Sequence, residues 1–163
     1  MDMANPNCPK IFIVEYDAAI RQAFVEILEQ EGYGVESFSD GQQAIDRLYA
    51  TPEPCLILLD MLMPVMNGEE FMEHFHKLPA TILPIPVFLV SATSNASQSG
   101  RIGCKGFMKK PVDLEALLLI VGKFCEKQTT AREEAKSSFP NVREYPQALK
   151  KIRHDPQPEK RIY

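Results

Sequence analysis

The 163 residues hold no apolar run approaching the ~18 that cross a bilayer; the longest clean stretch is ALLLIV, 116 to 121. A membrane span is therefore not expected. MDMANPNCPK at the start carries polar and charged breaks and two prolines, so it lacks the apolar centre of a secretory signal. Cytoplasmic residence is the expectation. Cys8, Cys55, Cys104 and Cys125 form no CxxC, and His74, His76 and His154 make no metal-ligand grouping. Disulfides and a zinc site are thus not expected, and the cysteines read as buried thiols. A net charge of -4 with pI near 5.4 offers no field to attract nucleic acid, although residues 137 to 163 are mildly basic. No internal repeat is present.

Against these absences stand 45% hydrophobic and 25% charged residues, enough for one well-buried domain and an appendage. IFIV (11–14), CLILL (55–59) and VFLV (87–90) are short continuous apolar runs, the pattern of strands covered on both faces. Weaker strand candidates are 33–38 and 105–108. Between the runs lie helical stripes: Ile20, Ala23, Phe24, Ile27 and Leu28, and later Leu114, Leu117, Leu118, Val121 and Cys125. Shorter helices are predicted at 41–50 and 68–77, where Asp40 with Gln43 and Asn67 with Glu70 have capping-box spacing. SNASQSGRIGC (94–104) must supply the helix before the last strand, and only Ala96 and Ile102 look able to anchor it, so it should be short or loose. The fold class is α/β, a doubly wound five-stranded parallel sheet with helices on both faces. Its boundaries are a lead-in over 1–9, a domain over 10–127, and the end of the last helix with a polar, proline-containing tail over 128–163. YPQALKKI (145–152) is a candidate amphipathic turn within that tail.

In such a sheet the ligand crevice lies beyond the carboxyl ends of the strands. Glu15 to Asp17, Asp60, Ser91 and Lys110 all fall there. Singly, each has an ordinary explanation as a cap, a turn residue or a solvated charge; their joint placement is what discriminates.

LLDMLMPVMNG (58–68), VSA (90–92) and FMKKP (107–111) resemble the signature segments of the receiver domain of two-component response regulators, with the flavodoxin-like fold of that family. The resemblance runs from residue 10 to about 126. It implies that Asp60 is a phosphoacceptor, charged by a histidine kinase or phosphotransfer protein, and that the chain signals to a further protein of unknown identity rather than acting as an enzyme on other substrates. It implies Lys110 as a cation at the phosphoryl group and Ser91 as its hydrogen-bond partner. Glu15, Asp60 and the Leu62 backbone carbonyl are then the implied Mg²⁺ ligands, with Asp17 as a further candidate beside its reading as a helix N-cap. Cations are needed because unit charges about 4 Å apart repel by roughly 4 kcal/mol at an effective dielectric of 20.

The chain departs from the family pattern at Tyr16, where the second of two adjacent acids is usual. A phenol, neutral at pH 7, is a poor Mg²⁺ ligand, so weak Mg²⁺ binding is expected. Tyr16 itself reads as an aromatic lid packed over the crevice. Phe107 takes the place of the aromatic that changes rotamer on activation, without a hydroxyl to switch. The alternative is a pseudo-receiver, an interaction module independent of phosphorylation. Too few residues follow for a helix-turn-helix DNA-binding domain, and direct nucleic-acid or membrane contact is not expected. A hydrolase that passes through aspartyl phosphate would want a second Asp at Leu62.

Overall fold

The computed structural model describes residues 10–50, 54–80, 82, 84–93 and 95–125. Five strands alternate with five helices: β1 (Ile11–Val14), α1 (Ala18–Gln30), β2 (Val35–Phe38), α2 (Gly41–Tyr49), β3 (Leu56–Asp60), α3 (Gly68–Phe75), β4 (Val87–Ser91), α4 (Ala96–Arg101), β5 (Gly106–Lys109) and α5 (Leu114–Phe124). All pairings are parallel, in the order β2-β1-β3-β4-β5. The predicted lead-in, the end of the predicted domain after residue 125, and the tail with its YPQALKKI segment lie outside the described residues.

Side-chain alternation along the central strands divides the core into two layers. Phe12, Val14, Ile57, Leu59 and Leu89 pack with Ala44, Leu48, Phe71, Met72 and Phe75 from α2 and α3. Ile11, Ile13, Leu56, Leu58 and Val90 pack with Phe24, Leu28, Leu117 and Val121 from α1 and α5. Both faces being covered explains why β1, β3 and β4 read as unbroken apolar runs, since every position is buried.

The helices begin where side chains can satisfy their first amides. Asp17 caps α1, Asp40 caps α2, and Asn67 with Glu70 closes a complete capping box on α3. At α4 the anchors differ from expectation. The helix is short, six residues, but Ala96 is exposed and Ser99 is the buried contact, its hydroxyl donating to the Gly106 carbonyl at 2.8 Å. Ile102 packs against the α2 and α3 layer as expected. A hydroxyl that finds an acceptor on β5 can be buried where hydropathy alone would leave it in water.

The cysteines also require a correction. Cys55 and Cys125, expected as separate buried thiols, form a disulfide, with Cα atoms 5.4 Å apart across 70 residues of sequence. The fold brings the start of β3 against the end of α5, a proximity that no local spacing reveals. Cys104 is free and half-buried, and burial pushes its thiol up to about 11.

Candidate functional site

Register places the chemistry. Val14 pairs with Leu59 and Asp60 with Val90, so Glu15 emerges beside Asp60 at the carboxyl edge of the sheet. Ser91, the last residue of β4, pairs with Lys109, and its carbonyl accepts from the Lys110 amide at 3.0 Å. The Lys110–Pro111 peptide that follows is cis. Four separate segments thus deliver two carboxylates, a hydroxyl and an ammonium to one edge.

The ammonium joins the acids. Lys110 Nζ lies 2.6 Å from Glu15 Oε2 and 3.4 Å from Asp60 Oδ1. Both acids are almost wholly enclosed, Glu15 at 3% and Asp60 at 7% exposure. Burial, the larger cause, raises the Glu15 carboxyl above its ordinary value. Attraction to Lys110 opposes that rise, and the neighbouring Asp60 charge adds to it. Glu15 Oε1 accepts from the Asp17 amide at 3.0 Å. The Leu62 amide approaches Asp60 Oδ1 at 3.4 Å, a weak contact by length.

Arg21, which the sequence reading did not single out, reaches back from α1. Its Nη1 donates to the carbonyls of Glu15 at 2.7 Å and Tyr16 at 3.1 Å, locking the loop that carries Glu15. The available signal was an arginine four residues after the N-cap, on the turn facing that loop. Thr93 carries no local sequence signal: its amide donates to Ser91 Oγ at 3.3 Å, and its hydroxyl lies 3.5 Å from the same oxygen.

Tyr16 does not form the expected lid. It is 58% exposed, because Glu15 takes the inward-facing position and the next side chain along the backbone turns outward. The Asp17 carboxylate accepts from the Ala19 and Ile20 amides at 2.8 and 3.0 Å, which engages it as the α1 cap. Phe107 is half-buried against the α2 and α3 layer. After Asp60 the chain makes a tight turn in which the Met66 amide donates to the Pro64 carbonyl at 2.7 Å, with Val65 between them at φ 68°. A β-branched residue in that region costs on the order of 1–3 kcal/mol. Gly68 closes the loop onto Met61, where a Cβ would meet the Met61 Cα at 3.0 Å and the Asp60 carbonyl oxygen at 3.1 Å.

The donors do not fit a tightly held divalent cation. Glu15 and Asp60 already share Lys110, Asp17 is committed to its cap, and Tyr16 offers a solvent-facing phenol. Among the described residues no group of three or more His, Cys, Asp or Glu side chains is arranged to hold a metal.

This sheet order, with an acid, a hydroxyl and a lysine gathered at its carboxyl edge, defines a receiver-type signalling domain. Residues 11–122 match the response regulator receiver domain family, and the chain belongs to that family. It is 31% identical over 112 residues to a response regulator MprA of Mycolicibacterium vanbaalenii, covering 67% of this chain and 47% of that protein. It is also 31% identical over 115 residues to a probable transcriptional regulator ycf29 of Pyropia yezoensis, covering 69% and 51%. The chain therefore spans about half the length of these curated relatives. Among solved structures, the chemotaxis response regulator CheY4 of Vibrio cholerae shares 25% identity at a TM-score of 0.64, over 72% of this chain and 98% of that one. The signal receiver domain of a histidine kinase from Syntrophus aciditrophicus shares 27% at 0.64, over 81% and 98%. The protein is a two-component receiver of CheY-like fold. Among the described residues no helix is long and apolar enough to cross a membrane.

Proposed function

We propose that Asp60 accepts a phosphoryl group from a phosphohistidine on a histidine kinase or phosphotransfer protein, and that the charged form signals through protein contact. The observation that carries this reading is the approach of Lys110 to Asp60 at 3.4 Å inside a nearly closed site. An Asp60 carboxylate oxygen attacks phosphorus, the new P–O bond forms as the P–N bond breaks, and the imidazole leaves with its electron pair and takes a proton from solvent. Both described contacts fall on Oδ1, which leaves Oδ2 as the attacking oxygen.

Lys110 lowers the repulsion between two anions as they meet. It can swing from Glu15 toward the phosphoryl oxygens without leaving the site, since one flexible stem already reaches both acids. Ser91 then rotates its hydroxyl from Thr93 toward a phosphoryl oxygen. Phe107, on the neighbouring strand, repacks in the space this opens and so alters the face formed by α4, β5 and α5. Mg²⁺ would be held weakly, by Glu15, Asp60 and the Leu62 carbonyl, and would supply a second positive charge at the phosphoryl oxygens.

A second reading, a receiver fold used as a phosphorylation-independent docking module, draws on the tighter hold of Lys110 by Glu15 than by Asp60. Incubation with acetyl phosphate or phosphoramidate, followed by intact mass, separates the two. The expected result is a gain of one phosphoryl group that Asp60→Asn abolishes. No gain with or without Mg²⁺ would favour the docking module.

A further inference from the structure

The bridge between Cys55 and Cys125 sits at the amino-terminal edge of the sheet, opposite Asp60, and has no part in the chemistry above. Cys55 directly precedes β3, and its amide donates to the Lys10 carbonyl at 2.9 Å, so its backbone is fixed. Cys125 caps α5, its amide donating to the Val121 carbonyl at 2.9 Å. The 5.4 Å between their Cα atoms is within the range that a disulfide spans without backbone movement.

Three features make this more than a fixed staple. First, beyond the buried Val121 the end of α5 packs through the half-buried Phe124 against Phe88, and the bridge at Cys125 is the last fastening of the described chain to the sheet. Second, the two residues differ in exposure, Cys55 being half-buried and Cys125 buried, which makes Cys55 the partner for an incoming thiol or disulfide. Third, Cys55 Sγ lies 3.6 Å from the Lys10 carbonyl oxygen, an acceptor ready for a thiol proton when the bridge is open.

We propose that Cys55 and Cys125 are a reversible thiol–disulfide exchange site for a small disulfide of the glutathione class, and that closing it fastens the carboxyl end of α5 to the strand carrying Asp60. In the closing direction the Cys55 thiolate attacks one sulfur of oxidised glutathione, forming a mixed disulfide and expelling one glutathione thiolate. The Cys125 thiolate then attacks the Cys55 sulfur, the intramolecular bond forms, and the second glutathione thiolate leaves. The protein gives up two electrons and two protons, and one oxidised glutathione becomes two reduced molecules. Opening is the reverse. Because the bridge closes a loop of about seventy residues, it should matter to stability, and it should set how firmly the end of α5 is held.

The test equilibrates the full chain in buffers running from oxidised to reduced glutathione, quenches with acid, alkylates under denaturing conditions and reads intact mass and peptides. One transition is expected in which the oxidised end carries two fewer alkyl groups, at positions 55 and 125, with Cys104 modified throughout. The reduced form should melt roughly 10 °C lower and be cut by trypsin after Lys123 about tenfold faster. Cys55→Ser and Cys125→Ser should behave as the reduced form in either buffer, and Cys104→Ser should leave the transition in place. If either serine variant fails to fold, the wild-type thiol count and Lys123 cleavage decide alone. Free thiols at 55 and 125 in the most oxidising buffer, a bridge that survives the most reducing one, or cleavage that ignores redox state would each overturn the proposal. Asp60→Asn should keep the whole transition, so failure of the phosphoacceptor reading would leave this result untouched.

Discussion

Among the described residues Lys110 is the single ammonium facing two enclosed carboxylates, and that ratio shapes the chemistry at the residue scale. One positive charge offsets one of Glu15 and Asp60, while burial makes the second negative charge costly, as the raised Glu15 carboxyl reflects. A third acid would shift the balance toward an external cation. Tyr16 marks the position: the residue follows Glu15, its phenol faces solvent, and no charge is lost by replacing it. Tyr16→Asp should therefore tighten Mg²⁺ binding by tenfold or more in isothermal titration calorimetry. Equal or weaker affinity in the variant would mean that the missing acid is not what limits the site. Arg21 contributes differently, holding the carbonyls of Glu15 and Tyr16 so that Glu15 points inward.

At the scale of elements, the contrast is between helices that are anchored by apolar stripes and one that is not. α1, α2 and α3 each bury several apolar side chains and are capped by Asp17, Asp40 and Asn67. α4 has only six residues and owes its seat to the Ser99 hydroxyl on the Gly106 carbonyl, and to Ile102 just beyond its end. Ser99→Ala leaves that carbonyl without its donor, at a cost of about 1–3 kcal/mol. Amide exchange should then quicken in α4 and β5 while β1 and β3 keep their protection. Uniform loss of protection across the sheet would show instead that α4 is coupled to the whole core. Since α4 precedes β5, which pairs with Ser91 and carries Phe107, a loosely seated α4 is also the element best placed to move under the proposed charging of Asp60.

For the whole molecule, stability rests on a sheet sealed on both faces. Leu59 is fully buried in the α2 and α3 layer and sits one residue before Asp60. Leu59→Ala should cost about 2–5 kcal/mol through lost burial and the cavity left behind. In urea the midpoint should fall with the slope unchanged. A reduced slope would indicate that the two layers unfold separately rather than as one unit.

The amino-acid sequence by itself determined the α/β class, the order of the elements and the membership of Glu15, Asp60, Ser91 and Lys110 in one edge of the sheet, because apolar runs, helical stripes and caps are local signals and parallel topology does the rest. Only the tertiary structure decided that Lys110 pairs more closely with Glu15 than with Asp60, that Tyr16 turns to solvent, that Ser99 rather than Ala96 seats α4, and that Cys55 meets Cys125. Each of these depends on distances between residues remote in the chain or on the direction of one side chain in a loop, and neither quantity is carried by the periodicity from which elements are read.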